Sequence, residues 1–331
     1  MRPIFRIICL AVLFLGLSAC TPRDRYIAIS GYAQGGTYTV KLNLKGVTAR
    51  PEALRDGIDS ILTRIDTTLS GYNKGSQLSR FNQGGSIVPN DMFREIFLAA
   101  KAYRDETGGA LDVAAAPLFD AWGFGFSNDS LPSAETVEML RDACDLDRIP
   151  EDLTHANGQR LNYNAIAQGY SCDKVADYLR SFGVKDMLVD IGEIFCDGLN
   201  PSGRPWTLAV DKPVDGNNDP GAQIQAKWQS SGGPCGVVTS GNYRKFYIRD
   251  GKKYAHTIDP CSGRPVEHNL LSATIVAPTA MDADAYATYC MVIGLQEARA
   301  FIEGRADLEG YLIYEEDGQM KTWASEGFNL I

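Results

Sequence analysis

The order of helix-like and strand-like segments constrains the fold of this chain more than any other feature of its sequence. Apolar residues recur at helical spacing in the segments 51–69, 91–107, 133–144, 165–182, 280–293 and 296–303. Strand-like segments occur at 26–30, 37–44, 186–190, 206–211, 224–229, 236–239, 245–249, 271–277, 308–314 and 319–323. Because helices and strand clusters segregate instead of alternating regularly, the pattern predicts an α+β fold rather than a doubly wound sheet.

Composition and charge narrow the classes of function. The chain has 331 residues, 44% of them apolar and 22% charged, so it can bury a sizeable core and is not disordered throughout. Its formal charge is -9 and it has no long run of Lys and Arg, which disfavours nucleic-acid binding. An acidic protein that handles an anionic substrate must place a cation or a few basic groups at the site.

The N-terminal segment has the layout of an export signal. Arg2 and Arg6 flank the start of an apolar run at 7–17, and the sequence Leu-Ser-Ala then precedes Cys20. The run is too short for an ordinary transmembrane helix. Its ending resembles a bacterial lipobox, which implies that Cys20 becomes the lipidated first residue. The alternative is a plain secretory signal that is cut near residue 19.

Three parts of the chain follow from this layout: a signal peptide at 1–19, a tether at 20–25 and one domain at 26–331. We expect an exported lipoprotein, anchored on the periplasmic side of the inner or outer membrane. Export permits disulfides, but the sequence leaves their pairing open. The cysteines beyond the signal region are Cys144, Cys172, Cys196, Cys235, Cys261 and Cys290, and no CxxC or Cys/His spacing suggests zinc.

Asp284 and Thr288 stand four residues apart in the segment 280–293, and therefore on one face of the predicted helix. A carboxylate and a hydroxyl are oxygen ligands of the kind that Mg²⁺ prefers, and this ion usually keeps positions for water and phosphate oxygens. The alternative is structural, because Thr279 and Asp282 match a variant of the capping box. Spacing alone leaves both interpretations open.

His256 precedes a turn with the pattern Asp-Pro-x-x-Gly at 259–263, which would hold the imidazole in a fixed position. A histidine held in this way can act on a phosphate or can serve only as a structural residue. Asn162 or Asn164 is predicted to cap the helix at 165–182, whose free N–H groups suit a phosphate.

Aromatic and glycine-rich segments at 107–113 and 117–125 suit the walls of a site for a flat ring system. The alternative is a tight core turn. Tyr72 lies in a polar, turn-like segment, where its ring can stack on a ligand or anchor the loop.

Taken in order, these segments resemble the ApbE-type family, the FAD:protein FMN transferases. The matching residues are Gly35-Gly36-Thr37-Tyr38, Ser70-Gly-Tyr72, Ser76-x-Leu78-Ser-Arg-x-Asn82, Thr107-Gly-Gly-Ala-Leu-Asp112, Pro117-Leu-x-x-x-Trp122-Gly-Phe-Gly, Ala165-Ile-Ala-Gln-Gly-Tyr-x-x-Asp173, Leu188-Val-Asp-Ile-Gly192, Thr239-Ser-Gly-x-Tyr243, His256-x-Ile-Asp-Pro-x-Ser-Gly-x-Pro265 and Ala283-Asp-x-x-Ala-Thr288. Each motif alone is weak, but their number and order make the match specific.

The resemblance implies a fold and a set of ligands. The fold would be α+β and related to the T-fold, with mixed or antiparallel sheets packed by helices. Mg²⁺ would be held by the Ala165 carbonyl, Asp284 and Thr288. The residues that would contact FAD are Gly35, Tyr72, Ala110, Leu111, Asp112, Asn162, Gln168 and Ile258.

The implied reaction is transfer of FMN from FAD to a Thr or Ser hydroxyl of a target protein, with release of AMP. The typical acceptor is a flavoprotein subunit of a membrane redox complex. His256 and Asp284 are the expected catalytic residues, and His256 would either assist loss of the hydroxyl proton or orient the phosphate. The alternatives are hydrolysis of FAD to FMN and AMP, an exported lipoprotein that only binds FAD, and a structural lipoprotein with no ligand.

Three positions depart from the family pattern. Gly35 stands where members commonly have Met, Asn162 where they have Asp, and Gln168 where they have Lys. Loss of the Lys removes a cation near FAD, and loss of the Asp removes an anion. The local sum of charges is therefore kept, while the affinity for FAD is expected to differ.

Overall fold

The computed structural model describes residues 25–126, 131–217, 219, 221–243, 246–249 and 251–331. The predicted signal peptide, Cys20 and the tether as far as residue 24 lie outside these residues. Within the described ranges, no helix is both long enough and apolar enough to cross a membrane.

The strands of the described ranges form one large sheet and three small hairpins. They are β1 (Tyr26–Ala33), β2 (Gly36–Asn43), β3 (Met187–Asp190), β4 (Ile194–Asp197), β5 (Thr207–Asp211), β6 (Ile224–Gln229), β7 (Cys235–Gly241), β8 (Phe246–Arg249), β9 (Lys252–Ala255), β10 (Ile258–Asp259), β11 (Arg264–Pro265), β12 (Leu270–Ala277), β13 (Glu309–Glu316) and β14 (Gln319–Ala324). The eight-stranded sheet has the order β1-β2-β3-β4-β7-β12-β13-β14, and its neighbours are antiparallel.

Helices flank the sheet, and three of them supply residues of the site described below. They are α1 (Pro51–Leu69), α2 (Gln77–Asn82), α3 (Asp91–Glu106), α4 (Ala116–Ala121), α5 (Ala134–Ala143), α6 (Ala167–Ser181), α7 (Ala280–Ile293) and α8 (Leu295–Glu303). The α+β prediction is confirmed, and the predicted helices at 51–69 and 280–293 coincide with α1 and α7. The pattern does not reveal α2 and α4, because six residues are too few to show a full helical repeat of apolar positions.

Both faces of the sheet are covered, as the alternation along β3 shows. Met187 and Val189 pack with α1 and α6, whereas Leu188 belongs to a cluster on the other face with Trp206 and Trp228. A further cluster joins α3 and α7 to β7, β12 and β13. Helices α6 and α7 are in contact along the sheet, and this contact positions the residues of the candidate site.

Candidate active site

The start of α7 is anchored by its own N-cap and by a carboxylate from α6. Thr279 is the N-cap, and its hydroxyl accepts a hydrogen bond from the backbone N–H of Asp282 at 3.0 Å, which confirms the predicted capping role. Asp173 accepts hydrogen bonds from the backbone N–H groups of Ala280 and Met281 at 2.8 and 2.9 Å. A helix start leaves such groups unpaired, so these bonds hold α7 against α6.

Asp284 lies one turn into α7 and is only 4% exposed. Its Oδ2 accepts a hydrogen bond of 3.0 Å from the backbone N–H of Gly169, in the first turn of α6. Burial raises the pKa of Asp284 to about 7; the bond from Gly169 opposes this rise, and the nearby Asp173 carboxyl adds to it. A buried carboxyl with a strongly raised pKa marks a candidate functional site, and a cation beside it would favour the ionised form.

Gly169 leaves no room for a side chain. A Cβ atom there would lie 2.2 Å from the carbonyl oxygen of Ala280 and 2.7 Å from the Cα of Met281. Glycine therefore allows the backbone of α6 to approach α7 closely enough for its N–H to reach Asp284. On the sheet side, a Cβ at Gly236 would lie 2.3 Å from the Cα of Ala280, so β7 approaches the same helix start just as closely.

The predicted metal ligands offer only oxygen atoms. Thr288 lies one turn beyond Asp284, and its hydroxyl is 3.4 Å from the Oγ of Ser240 at the end of β7. Ala165 precedes α6 by two residues, so its carbonyl belongs to the same end of that helix as Gly169. A carboxylate, a hydroxyl and a carbonyl suit Mg²⁺. The described residues contain no group of three or more His, Cys, Asp or Glu that could hold a metal, and this oxygen set needs none.

A pocket of about 610 Å³ opens beside the first turn of α6. This volume falls within the usual range for sites of small molecules and cofactors. Its lining combines apolar side chains, one tyrosine and several amides: Gln34, Gly35, Ile65, Asp66, Leu69, Ser70, Gly71, Tyr72, Asn73, Asn164, Ala167 and Gln168. The structure thus brings together Gly35, Tyr72 and Gln168, three residues predicted to contact FAD.

Tyr72 presents an aromatic surface to this pocket and is 62% exposed. Its ring meets Phe126 edge to face, with 5.0 Å between the ring centroids. Its hydroxyl accepts a hydrogen bond of 3.3 Å from Nδ2 of Asn164. Gln168 is also tied in place, because its Nε2 donates to the carbonyl of Ile191 at 3.1 Å. The groups that face the pocket are therefore held by neighbours before any ligand binds.

The prediction that Asn162 or Asn164 caps α6 is wrong. The N-cap is Ile166, which makes no side-chain hydrogen bond to the helix start. Oδ1 of Asn162 instead accepts a hydrogen bond from the backbone N–H of Asn164 at 2.9 Å, which is an Asx turn. The backbone N–H of Asn162 donates to the carbonyl of Val113 at 2.8 Å. The chain turns before the helix begins, so Asn162 braces the turn.

Ala110, Leu111 and Asp112 do not line the pocket. Leu111 is buried in the core around α3. Asp112 caps the short 3₁₀ helix Val113–Ala115 through the N–H of its second residue, and it pairs with Arg104 at 3.1 Å. Burial raises the pKa of Asp112, while its hydrogen bonds and Arg104 lower it. These contacts give Asp112 a structural role in addition to the predicted contact with FAD.

His256 stands before the predicted rigid turn. Asp259 closes that turn by accepting hydrogen bonds from the backbone N–H groups two and three residues further on, at 2.9 and 3.1 Å. The ring of His256 meets Phe124 edge to face, with 6.4 Å between the centroids. Ile258 is buried in a cluster with Trp122. Neither His256 nor Ile258 is among the residues that line the pocket with Gly35, Tyr72 and Gln168.

Comparison with known proteins decides the family of this chain. A family model described as the ApbE family matches residues 35–312, a range that includes both candidate metal-binding side chains and every lining residue of the pocket except Gln34. The chain belongs to the ApbE family. This ApbE family member is 34% identical over 307 residues to the FAD:protein FMN transferase of Escherichia coli K12, covering 87% of this chain and 84% of that protein. It is also 34% identical to the Haemophilus influenzae FAD:protein FMN transferase, covering 95% and 94% of the two chains.

Solved structures of relatives have the same fold. The Pseudomonas stutzeri flavinyl transferase ApbE, in its apo form, superposes on this ApbE family member with a TM-score of 0.80 at 34% identity, covering 92% of this chain and 95% of the other. The flavin transferase ApbE from Vibrio cholerae superposes with a TM-score of 0.78 at 31% identity, covering 92% and 99%. The predictions of the family, of its fold class and of an enzyme are confirmed.

Asp173 is a residue of this region whose role is not evident from the sequence. It closes the matching motif at 165–173 and lies four residues after Gly169, on the same helical face. This spacing within a matching motif is the signal in the sequence that could have identified Asp173. In this ApbE family member its carboxylate joins the start of α7 to α6, and so it positions Asp284.

Replacing Asp173 with Ala should destabilise this ApbE family member by about 2–4 kcal/mol, because two backbone N–H groups at the start of α7 lose their acceptor. Asp173→Asn keeps one acceptor oxygen and should cost less than half as much. Urea unfolding of both variants measures the difference. Equal stability of Asp173→Ala and the wild type would contradict the role that we assign to this carboxylate.

Proposed function

We propose that this ApbE family member binds FAD in the pocket beside α6 and transfers FMN to a Thr or Ser hydroxyl of a target flavoprotein subunit. AMP is the second product, and Mg²⁺ at Asp284 is required. The coarser statement, that the chain is a flavin transferase, is supported by relatives that carry that activity in their names.

The single observation that supports this proposal is the position of the first turn of α6 between the pocket and Asp284. Ala167 and Gln168 line the pocket, and the next residue, Gly169, donates its N–H to the buried carboxylate of Asp284. A ligand in the pocket and the candidate metal ligand therefore lie on either side of one turn of backbone. This arrangement suits a substrate whose ring system fills a pocket while its phosphates reach a cation.

The described lining of the pocket offers no positive charge to the two phosphates of FAD. Among the described residues that line it, Asp66 is the one with a formal charge, and that charge is negative. Mg²⁺, when bound, supplies a Lewis acid that neutralises charge on the phosphates. Ala165, Asp284 and Thr288 would hold it. The raised pKa of Asp284 then has a function, because a carboxylate buried without a cation is costly.

We assign one of two roles to His256. It either assists loss of the proton from the acceptor hydroxyl or orients the phosphate. The hydroxyl must lose a proton as it attacks phosphorus, and a histidine is the side chain most often used for such transfers. The turn closed by Asp259 fixes the backbone beyond His256, and Phe124 packs against its ring. A pre-positioned imidazole contributes to catalysis because it need not be ordered during the reaction.

The proposal also covers the location of the protein and the acceptor protein that it modifies. Residues 26–331 form the catalytic domain, and lipid on Cys20 anchors the exported protein to the membrane. The acceptor would then be a flavoprotein subunit of a membrane redox complex that exposes its hydroxyl on the same side. The lipobox-like ending of the N-terminal segment supports this part of the proposal.

Incubation of the purified protein with FAD, Mg²⁺ and an acceptor domain tests the proposed reaction. We expect AMP in solution and an increase in the acceptor mass equal to one FMN group, with equal amounts of both. AMP and free FMN without a mass increase would identify a hydrolase. If FAD binds but neither product forms with any acceptor tried, the proposed enzymatic activity is wrong and the protein is a flavin-binding lipoprotein.

Replacing Tyr72 with Ala should weaken FAD binding by about 3- to 10-fold, because a ring that faces the pocket is lost. Tyr72→Phe keeps the ring and loses only the long hydrogen bond with Asn164, so its affinity should stay within about 2-fold of wild type. Fluorescence titration of FAD measures both. Phe182→Ala, an exposed ring outside the pocket lining, is the control. Unchanged affinity in Tyr72→Ala would place the flavin elsewhere.

A further inference from the structure

Cys196 and Cys235 face each other in the middle of the large sheet. They are direct partners in the antiparallel register of β4 and β7, and their Sγ atoms are 3.6 Å apart. Directly opposed residues of antiparallel strands have Cα atoms about 4.5 or 5.5 Å apart, and both values lie within the range that a disulfide spans. Among the cysteines that the structure describes, this is the pair in contact through sulfur.

The two thiols differ in their access to solvent. Cys196 is fully buried, whereas Cys235 is 9% exposed and lines a pocket of about 330 Å³ together with Trp228, Pro234 and Val276. A small reagent can therefore approach Cys235 first. Hydrogen bonding to Cys235 and burial raise the pKa of the Cys196 thiol. The greater access of Cys235 to solvent makes it the candidate for the first nucleophile.

We propose that Cys196 and Cys235 form a disulfide between β4 and β7 when a small-molecule or protein disulfide is available as the oxidant. The Cys235 thiolate attacks one sulfur of that oxidant, which releases one thiolate and leaves a mixed disulfide. Cys196 then loses its proton and displaces the second thiolate, so one S–S bond is exchanged for another. Two protein thiols are oxidised, and one external disulfide is reduced to two thiols.

The bond would brace the part of the sheet that supports α7. Gly236, the residue after Cys235, lies close to the start of α7, since a Cβ atom there would be 2.3 Å from the Cα of Ala280. The segment between the cysteines contains the β5–β6 hairpin, so the bond closes a loop of about forty residues. Cross-links that close loops of this length stabilise a fold, and we expect a rise in Tm of about 5–10 °C. The inference does not depend on the reaction that the protein catalyses.

Titration of the full, reduced chain with oxidised glutathione tests the proposal. Free thiols are blocked with N-ethylmaleimide in denaturant, and the tryptic peptides are analysed by mass spectrometry. We expect one linked pair of peptides, carrying Cys196 and Cys235, while Cys144 and Cys290 remain alkylated. The Tm of the oxidised chain should fall by about 5–10 °C on adding dithiothreitol.

Single substitutions separate a specific bond from general oxidation. Cys196→Ala and Cys235→Ala should remove the effect of dithiothreitol on Tm, and the matched control Cys144→Ala should keep it. If either variant fails to fold, the peptide analysis of the wild type decides the question by itself. Alkylation of both Cys196 and Cys235 at oxidising glutathione ratios, or a glutathione adduct on Cys235 that Cys196 never resolves, would overturn the proposal.

Discussion

Replacing Asp284 with Asn is expected to lower the rate of flavin transfer by roughly 100-fold or more, the scale found when a group that organises a catalytic metal is lost. Asn keeps an oxygen that can accept the N–H of Gly169, so the contact between α6 and α7 is retained. What is lost is the negative charge that would hold Mg²⁺. Initial rates of AMP release and of FMN attachment, measured at saturating FAD and Mg²⁺, report the effect.

The same substitution should stabilise the protein when no metal is present. The pKa of Asp284 rises from 3.8 to about 7 on folding, so the folded state holds this proton more tightly than the unfolded chain. The stability linked to this group is therefore full below about pH 4 and is lost as the pH rises to about 7, at about 1.4 kcal/mol for each pH unit in that interval. In EDTA at pH 8, Asp284→Asn should melt several degrees above the wild type, and this difference should shrink towards pH 4.

Mg²⁺ supplies the matching test of binding. It should raise the Tm of the wild type at pH 8 and leave that of Asp284→Asn unchanged, because only the ionised carboxylate holds the ion. Asp282→Asn is the control within the same helical turn, since Asp282 bonds to Thr279 and Tyr103 and should keep the response to Mg²⁺. An equal response to Mg²⁺ in wild type and Asp284→Asn would remove Asp284 from the metal site.

Replacing Gly169 with Ala should have the second largest effect. The added methyl group would meet the Ala280 carbonyl oxygen at 2.2 Å and the Met281 Cα at 2.7 Å, and both belong to backbone that cannot rotate away. Helices α6 and α7 must therefore separate, which breaks the bond to Asp284. We expect a loss of about 1–3 kcal/mol in stability and at least about a tenfold loss of activity.

Gly233→Ala is the matched control for this substitution, because a Cβ at Gly233 would meet nothing closer than 3.7 Å. It should leave both the unfolding midpoint in urea and the rate of flavin transfer near the wild-type values. If Gly169→Ala behaves like this control, the close approach of the two helices is not what positions Asp284.

The elements of this fold are readable from the sequence where their apolar pattern is long. The pattern predicts helix α7 with its observed bounds, and it predicts Thr279 as part of the cap. It does not predict the start of α6, because Asn162 and Asn164 have the residue type of a cap while the chain makes an Asx turn before the helix begins. The local sequence shows only that Asn is a preferred residue type for a cap. The position of this turn depends on the hydrogen bond between Asn162 and the distant Val113.

In the candidate site, too, some features follow from local sequence and others depend on contacts between distant residues. Asp284 and Thr288 are adjacent through helical spacing, which a sequence displays directly. The role of Gly169 depends on a contact of α6 with α7 across more than a hundred residues, and no local pattern encodes it. Likewise, family resemblance groups Ile258 and Asp112 with Tyr72, yet of these three only Tyr72 lines the pocket beside α6.

Two of the three positions expected to depart from the family pattern, Gln168 and Asn162, have contacts of their own in this protein. Gln168 donates to the Ile191 carbonyl and lies above Gly192, where a Cβ would come within 2.5 Å of its Nε2. Asn162 accepts from the backbone of Asn164, which in turn bonds to Tyr72. Both neutral amides thus hold parts of the pocket in place. With no cation among the described lining residues, FAD binding should depend strongly on the metal site.

The most direct test of whether the pocket and Asp284 form one site is a titration of the wild-type protein with FAD, once with Mg²⁺ and once with EDTA. If the pocket and Asp284 form one site through the first turn of α6, Mg²⁺ should lower the Kd for FAD by about 10-fold or more, within the usual range of coupling between two ligands. The same Kd in both titrations would mean that the pocket and the carboxylate act separately, and would contradict the account.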